Sequence, residues 1–249
     1  MAGSSAHDAH PTAALADALL PRPAAAVFDG ADVLYDASIW SRWLVQQLHR
    51  LGLHTHYQPF VHVLEHDYLI QAYRGVCPYW RAIGDFLRSV GLSHGQVDEV
   101  LVAAQGAQRR FSQSLRPFPG VRRTLRSLGE AGLPMAVLCN SEQSAEQVAA
   151  TLHRLGLRED LAVVLSSLDL GMALPEPGAY QAAAESLGHS VEHVVYIGHD
   201  GCELAGAAAV GMPTLAFNAS GCVAADAHID RFEQLLLLAG PLRARMTAG

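Results

Sequence analysis

The sequence predicts an α/β fold in which a doubly wound, mostly parallel sheet carries helices on both faces. Two observations predict it. Short apolar runs recur, several of them ending at a polar residue, as a buried parallel strand does when it delivers side chains to the carboxyl edge of a sheet. Helical patterns separate these runs, so strands and helices alternate along the chain.

The first run is residues 25–28 (AAVF), closed by Asp29. The second, 133–141 (LPMAVLCNS), follows the helical PGVRRTLRSLGEAG, with Gly132 where a helix stop is expected. The third, 161–167 (LAVVLSS), follows AEQVAATLHRLGL, and the fourth, 193–200 (HVVYIGHD), follows PGAYQAAAESLG. A fifth strand is expected at 213–218 (PTLAFN), after ELAGAAAVGM.

Residues 38–116 contain no comparable strand. SIWSRWLVQQLHRLG, QPFVHVLEHDYLIQAYRG, PYWRAIGDFLRSVG and GQVDEVLVAAQGAQRRFSQSL each carry apolar residues at helical spacing. A helical insertion there would sit over the sheet edge as a lid, with RPFPG (116–120) as the return hinge. The expected organisation is a tail over 1–22, an α/β core over 23–37 and 117–249, and a helical cap over 38–116.

Composition excludes several classes of function. The chain has 249 residues, half of them hydrophobic, which is enough for a large buried core. A net charge of −7, with no basic run, argues against nucleic acid as a partner. No apolar run approaches the ~20 residues of a membrane span. The N-terminal stretch has no positive charge before Arg22 and does not read as a secretory signal. Cys77, Cys139, Cys202 and Cys222 form no CxxC pair. A cytoplasmic, reducing setting is therefore expected. All 17 basic residues are arginines, and the sequence contains no lysine.

Four stretches then carry a resemblance: VFDGADVLYDAS, PFPGVRRTLRSLGEAGLPMAVLCNS, SSLDLGMALPEPGAYQAAAESLG and VVYIGHDGCELAGAAAVGM. In order and spacing they resemble the four motifs of the haloacid dehalogenase superfamily, whose members are mostly phosphatases with a helical cap inserted after the first strand. The resemblance implies a carboxylate nucleophile at the first strand and a second carboxylate two residues on as the acid/base. It further implies a hydroxyl on the second strand, a lysine in the third motif, and acidic residues in the fourth that hold Mg²⁺.

Mapped onto this chain, the nucleophile position is Asp29, but its helpers have changed. The acid/base position is Ala31, the usual glycine is Asp32, and the hydroxyl position is Cys139, followed by the expected Asn140. Leu174 stands at the lysine position, and the fourth motif reads Gly198-His199-Asp200-Gly201-Cys202-Glu203. The Asp-x-Ala pattern is similar to that of phosphonoacetaldehyde hydrolases, which need a cap lysine that this chain lacks. Haloacid dehalogenases work without metal but use the third-motif lysine.

Loss of a general acid lowers rates by about 10²–10⁴ and loss of a charge-stabilising donor by about 10²–10³. Together about 10⁴–10⁷ would go, allowing for non-additivity. A phosphate dianion at Asp29 would also meet Asp32, Asp200 and Glu203, unless a cap arginine such as Arg42, Arg74 or Arg81 supplied charge. The sequence is therefore read as a hydrolase-like protein with lost or strongly reduced phosphohydrolase activity, its pocket kept for a small-molecule ligand or a regulatory or structural role. The alternative is an active hydrolase using Asp29 on a small phosphorylated or halogenated metabolite. No metal is assigned. Mg²⁺ belongs to the active alternative, and Zn²⁺ to a minority arrangement in which Cys139 and His199 converge beside Asp29, with Cys202 or Glu203 completing the shell.

HVLEH (62–66) matches the His-x-x-Glu-His pattern of inverted zinc peptidases, but a solvated cap helix accounts for it better. Trp40, Trp43, Tyr79 and Trp80 are expected in the cap core or at its boundary with the sheet, where they could line a pocket.

Overall fold

The computed structural model describes residues 22–219 and 223–239. The expected tail up to residue 21, and Cys222, lie outside the described residues.

Six parallel strands form one sheet in the order β3-β2-β1-β4-β5-β6. They are β1 (Ala25–Phe28), β2 (Met135–Cys139), β3 (Val163–Ser166), β4 (Val194–Gly198), β5 (Thr214–Phe217) and β6 (Ala227–Ile229). The first five fall on the five expected runs. β6 was not expected: three residues, with His228 exposed and Ala227 half-buried, offer no apolar run to read. β1 is central, with Val27 paired to Ala136 on one side and Tyr196 on the other. A strand with neighbours on both edges and helices on both faces has no polar side, which is why AAVF is wholly apolar.

Alternation along β1 feeds two cores. Ala26 and Phe28 join the cluster built with Leu125, Leu128, Leu152 and Phe232. Ala25 and Val27 join the opposite one, with Tyr180, Ala183, Tyr196 and Leu204. The covering helices are α5 (Val121–Glu130), α6 (Ala145–Arg154), α8 (Pro177–Ser186) and α9 (Gly201–Ala209), with a short turn α7 (Ser167–Leu170). α6 opens on a capping box in which Ser144 and Gln147 satisfy each other's backbone N–H groups. Gly206 lets α9 approach the loop before α8; a Cβ there would lie 2.5 Å from Pro175 Cβ and 2.9 Å from the Tyr180 hydroxyl.

Between β1 and α5 the chain is helical, as expected. It forms α1 (Ser38–Arg50), then α2 in three pieces (Tyr57–His62, a π-helical Val63–Leu69, and Ile70–Tyr73), α3 (Tyr79–Ser89) and α4 (His94–Ser114). These helices share their own apolar cluster, including Leu44, Phe60, Ile83, Phe86 and Leu87. Four polar links tie them to the sheet side: Arg74–Glu176 at 2.7 Å, Gln108–Glu142 at 3.1 Å, His66–Asp200 at 3.4 Å, and Arg154 to the Ser112 carbonyl at 2.7 Å. The widened turn of α2 lies where His66 and Glu65 face the sheet edge, and π-helical turns often mark such places.

Candidate functional site

Asp29 follows β1 directly, and its backbone N–H donates to the Ile197 carbonyl at 2.9 Å. That bond fixes a 4 % exposed carboxylate at the carboxyl edge of the sheet. A cavity of about 230 Å³ opens there, lined from the sheet by Asp29, Cys139 and His199 and from the helices by Trp40, Glu65 and Tyr79. Asp29, Cys139 and His199 thus share one cavity wall.

Their chemistry is unequal. His199 Nδ1 donates to Asp29 Oδ2 at 2.9 Å, while Nε2 lies 3.9 Å from Asp32 Oδ2. Burial alone would disfavour a charged imidazole. The hydrogen bond and charge of Asp29, with Asp32 and Glu203 nearby, outweigh it and raise the His199 pKa to about 10. At neutral pH the fourth-motif position therefore carries an imidazolium. Asp29 Oδ1 accepts no hydrogen bond from a described residue and is the carboxylate atom left for a ligand.

Three carboxylates that the sequence counted as bare charge each have partners. Asp32 has φ +56°, the left-handed region that explains the usual glycine and that aspartate tolerates. Its Oδ1 accepts from the N–H groups of Ala37 and Ser38 at the start of α1. Burial raises its pKa, partly offset by His199. Asp200 Oδ1 caps α9 by accepting from Cys202 and Glu203 N–H. Burial opposes its charge, but the His66 bond and the Glu203 amide hold it down at about 2. Glu203 accepts from Asn140 Nδ2 at 2.9 Å and the Tyr196 hydroxyl at 2.9 Å, and deep burial beside Asp29 pushes its pKa well above the usual range.

The remaining altered positions are structural. Ala31 contributes only a methyl to the cavity wall. Leu174 is fully buried in the apolar cluster of Tyr180 and Tyr196. Asn140 clamps its backbone, accepting from Leu174 N–H at 2.8 Å and donating to its carbonyl at 3.1 Å. Cys139 is buried and its thiol points to the Leu165 carbonyl at 3.7 Å; burial, then Asp29 and Glu203, raise the thiol pKa far above its usual value.

None of the cap arginines replaces the missing lysine in the cavity. Arg74 pairs with Glu176, Arg81 with Asp85, and Arg42 sits 5.6 Å over the Tyr57 ring. HVLEH is not a uniformly solvated face: His62 is exposed, but Glu65 and His66 line the cavity. Burial lifts the Glu65 pKa to about 7, with His199 working against the rise. Glu65 and His66 enter the site from positions that the four motifs do not mark, and Tyr79 enters it from the expected aromatic boundary. Trp40 does so as expected at the boundary, donating its indole N–H to the Tyr79 hydroxyl at 3.0 Å.

Mg²⁺ requires hard oxygen donors in near-octahedral array at about 2.0–2.1 Å. The donors here do not fit it. Asp29 Oδ2 is held by a cation, Asp200 Oδ1 by a helix terminus, and both Glu203 oxygens by Asn140 and Tyr196. Nor do Cys139 and His199 belong to any set of three converged His, Cys, Asp or Glu donors among the described residues.

A family model for haloacid dehalogenase-like hydrolases matches residues 23–211. The chain belongs to the haloacid dehalogenase-like hydrolases. Its curated relatives include haloacetate dehalogenase H-2 of Moraxella sp. (strain B), 28 % identical over 47 % of this chain and 53 % of that one. (S)-2-haloacid dehalogenase 4A of Burkholderia cepacia is 31 % identical over 44 % and 46 %. Phosphatase MT3486 of Mycobacterium tuberculosis is 37 % identical over 42 % and 48 %. The chain thus matches about half the length of these relatives. A crystal structure of a dehalogenase with an intermediate complex superposes with a TM-score of 0.62 at 21 % identity, covering 87 % of this chain and 97 % of that one. A haloacid dehalogenase-superfamily hydrolase from Geobacter sulfurreducens gives 0.61 at 18 % identity, covering 88 % and 98 %. At these identities the structures establish the shared fold.

Proposed function

We propose that this haloacid dehalogenase-like protein has given up Mg²⁺-dependent phosphoryl transfer and keeps a metal-independent pocket for a small organic ligand beneath its helical cap. The supporting observation is the 2.9 Å hydrogen bond from His199 to Asp29 Oδ2, which favours the imidazolium form. It neutralises Asp29 from within the fold, so no divalent cation is needed to make a buried carboxylate tolerable. With Ala31 at the acid/base position, no carboxyl group stands two residues from Asp29 to protonate a leaving alkoxide. The cavity walls from Trp40, Tyr79 and Ala31 suit an apolar body carrying one polar end that reaches Asp29 Oδ1 and His199.

Purified protein assayed on small phosphate monoesters with Mg²⁺ should show no turnover in the ordinary range of about 1–10³ s⁻¹. Turnover within that range, abolished by Asp29→Asn and by chelation, overturns the reading.

A second reading has specific support in the free Asp29 Oδ1 and in the dehalogenases among the relatives. Oδ1 would attack a halogen-bearing carbon, the carbon–halogen pair leaving as halide, and water would then cleave the resulting Asp29 ester to an alcohol and the free carboxylate. Halide release from short 2-haloacids that disappears in Asp29→Asn would establish it in place of simple binding.

A further inference from the structure

Among the described residues, one group of His, Cys, Asp and Glu side chains has donor atoms that converge: His62, His66 and Cys202, of which His66 also lines the Asp29 cavity. They come from two elements far apart in sequence. His62 and His66 lie one turn apart on α2, with ring centroids 4.6 Å apart. Cys202 stands in the first turn of α9, directly after the loop that carries His199. We propose that His62, His66 and Cys202 form a binding site for Zn²⁺ or a similar borderline-soft divalent cation, which clasps α2 to the start of α9.

The geometry is close to what such an ion needs. One donor from each residue lies within 4.8 Å of the others. Metal–nitrogen bonds of about 2.0–2.1 Å and metal–sulfur bonds of about 2.3 Å at tetrahedral angles place donors about 3.3–3.6 Å apart. Rotation of the exposed His62 and Cys202 side chains covers the difference, since neither makes a side-chain hydrogen bond to a described residue. Two imidazoles and a thiolate select Zn²⁺-like ions over Mg²⁺ or Ca²⁺.

The surroundings favour a cation as well. The Asp200 carboxylate is 3.4 Å from His66 Nε2, the relation by which a carboxylate orients a ligating histidine and raises its basicity. Asp200 is itself fixed by capping α9, so the ring it orients is referenced to the sheet. Binding would release the Cys202 proton to solvent, leaving a thiolate on the metal. Three protein donors leave a fourth position for water. Because α2 supplies Glu65 and His66 to the cavity wall, a bound ion would also hold that wall in place.

The test uses full-length protein without a histidine tag. Titration with Zn²⁺ against a chromogenic chelator should give one ion per chain, and Zn²⁺ should raise the thermal midpoint. Co²⁺ in its place should show thiolate-to-metal charge-transfer absorption. His62→Ala and Cys202→Ser should each weaken binding by at least about 100-fold, the upper end of what losing an outer-shell partner costs. Cys202→Ser should also abolish the charge-transfer band, whereas His153→Ala, on a distant exposed side chain, should leave both unchanged. Both ligand variants are at exposed positions, and circular dichroism checks that they fold. Absence of stoichiometric Zn²⁺ binding overturns the proposal, and so does binding that survives Cys202→Ser without loss of affinity.

Discussion

The loop after β3 and the loop after β4 lie on opposite sides of β1 in the sheet, and both depart from the family pattern, in opposite directions. At the first, the expected cation is replaced by Leu174, which has sunk into the apolar core while Asn140 holds its backbone. At the second, an expected anion is replaced by His199, which carries positive charge against Asp29. The positive charge beside Asp29 comes from the loop after β4 and not from the loop after β3. A buried carboxylate requires a partner, but which element supplies it can change, provided the charges sum to something the low-dielectric interior tolerates.

Leu174→Lys should produce the largest effect, because an amine would enter a fully buried apolar position while Asp29 already has its cation. A loss of at least about 4 kcal/mol, or failure to fold, is expected in chemical denaturation. If stability were retained, the amine would have reached Asp29, and the β3 loop would still be a charge-bearing loop.

His199→Gln should come next. It keeps a hydrogen-bond donor but removes the charge, leaving Asp29 unneutralised. The expected loss is about 3 kcal/mol, the low end for breaking a buried pair, because His199 keeps an edge in solvent. The sign with pH is fixed: a basic group raised from 6.5 to about 10 in the folded protein contributes stability fully below pH 6.5 and loses it as pH rises through about 10. Denaturation midpoints of the parent should therefore fall across that window, and those of His199→Gln should fall less. Identical alkaline limbs would show that His199 is not the cation.

Glu203→Gln should matter little, less than about 1 kcal/mol. Burial already favours the neutral carboxyl, and an amide of the same shape can serve Asn140 and Tyr196. A large loss would mean that Glu203 is ionised and shares His199 with Asp29. Arg74→Ala should be smallest, about 0.5 kcal/mol, since the Arg74–Glu176 pair is one-third exposed. A larger effect, read by urea denaturation, would mark the β3 loop as anchored from α2 and not by its own core.

The five long strands were legible because each is an apolar run bounded by helical patterns, and β6 was not because Ala227–Ile229 is too short and too solvated to show one. Asp29, Asn140 and His199 were legible as positions in motifs of fixed spacing. Their roles were less so, because spacing places a backbone and says nothing of where a carboxylate turns. Asp32 and Asp200 looked like charges facing the ligand, and one oxygen of each is engaged by a helix terminus. Glu65 lay inside HVLEH, which reads from the sequence as part of a solvated helix. The π-helical winding that brings Glu65 to the cavity leaves no mark in composition, since it depends on what α2 packs against.

The three tryptophans of the chain, Trp40, Trp43 and Trp80, occupy one stacked and edge-on cluster on α1 and α3, while the sheet side holds buried tyrosines such as Tyr180 and Tyr196. Indole emission therefore reports on the helices alone, and from a residue, Trp40, that also forms part of the cavity wall. The molecule carries its own optical probe: a ligand entering beside Asp29 should alter a fluorescence signal to which the α/β half contributes no tryptophan, so binding and local opening of the helices can be followed without a label.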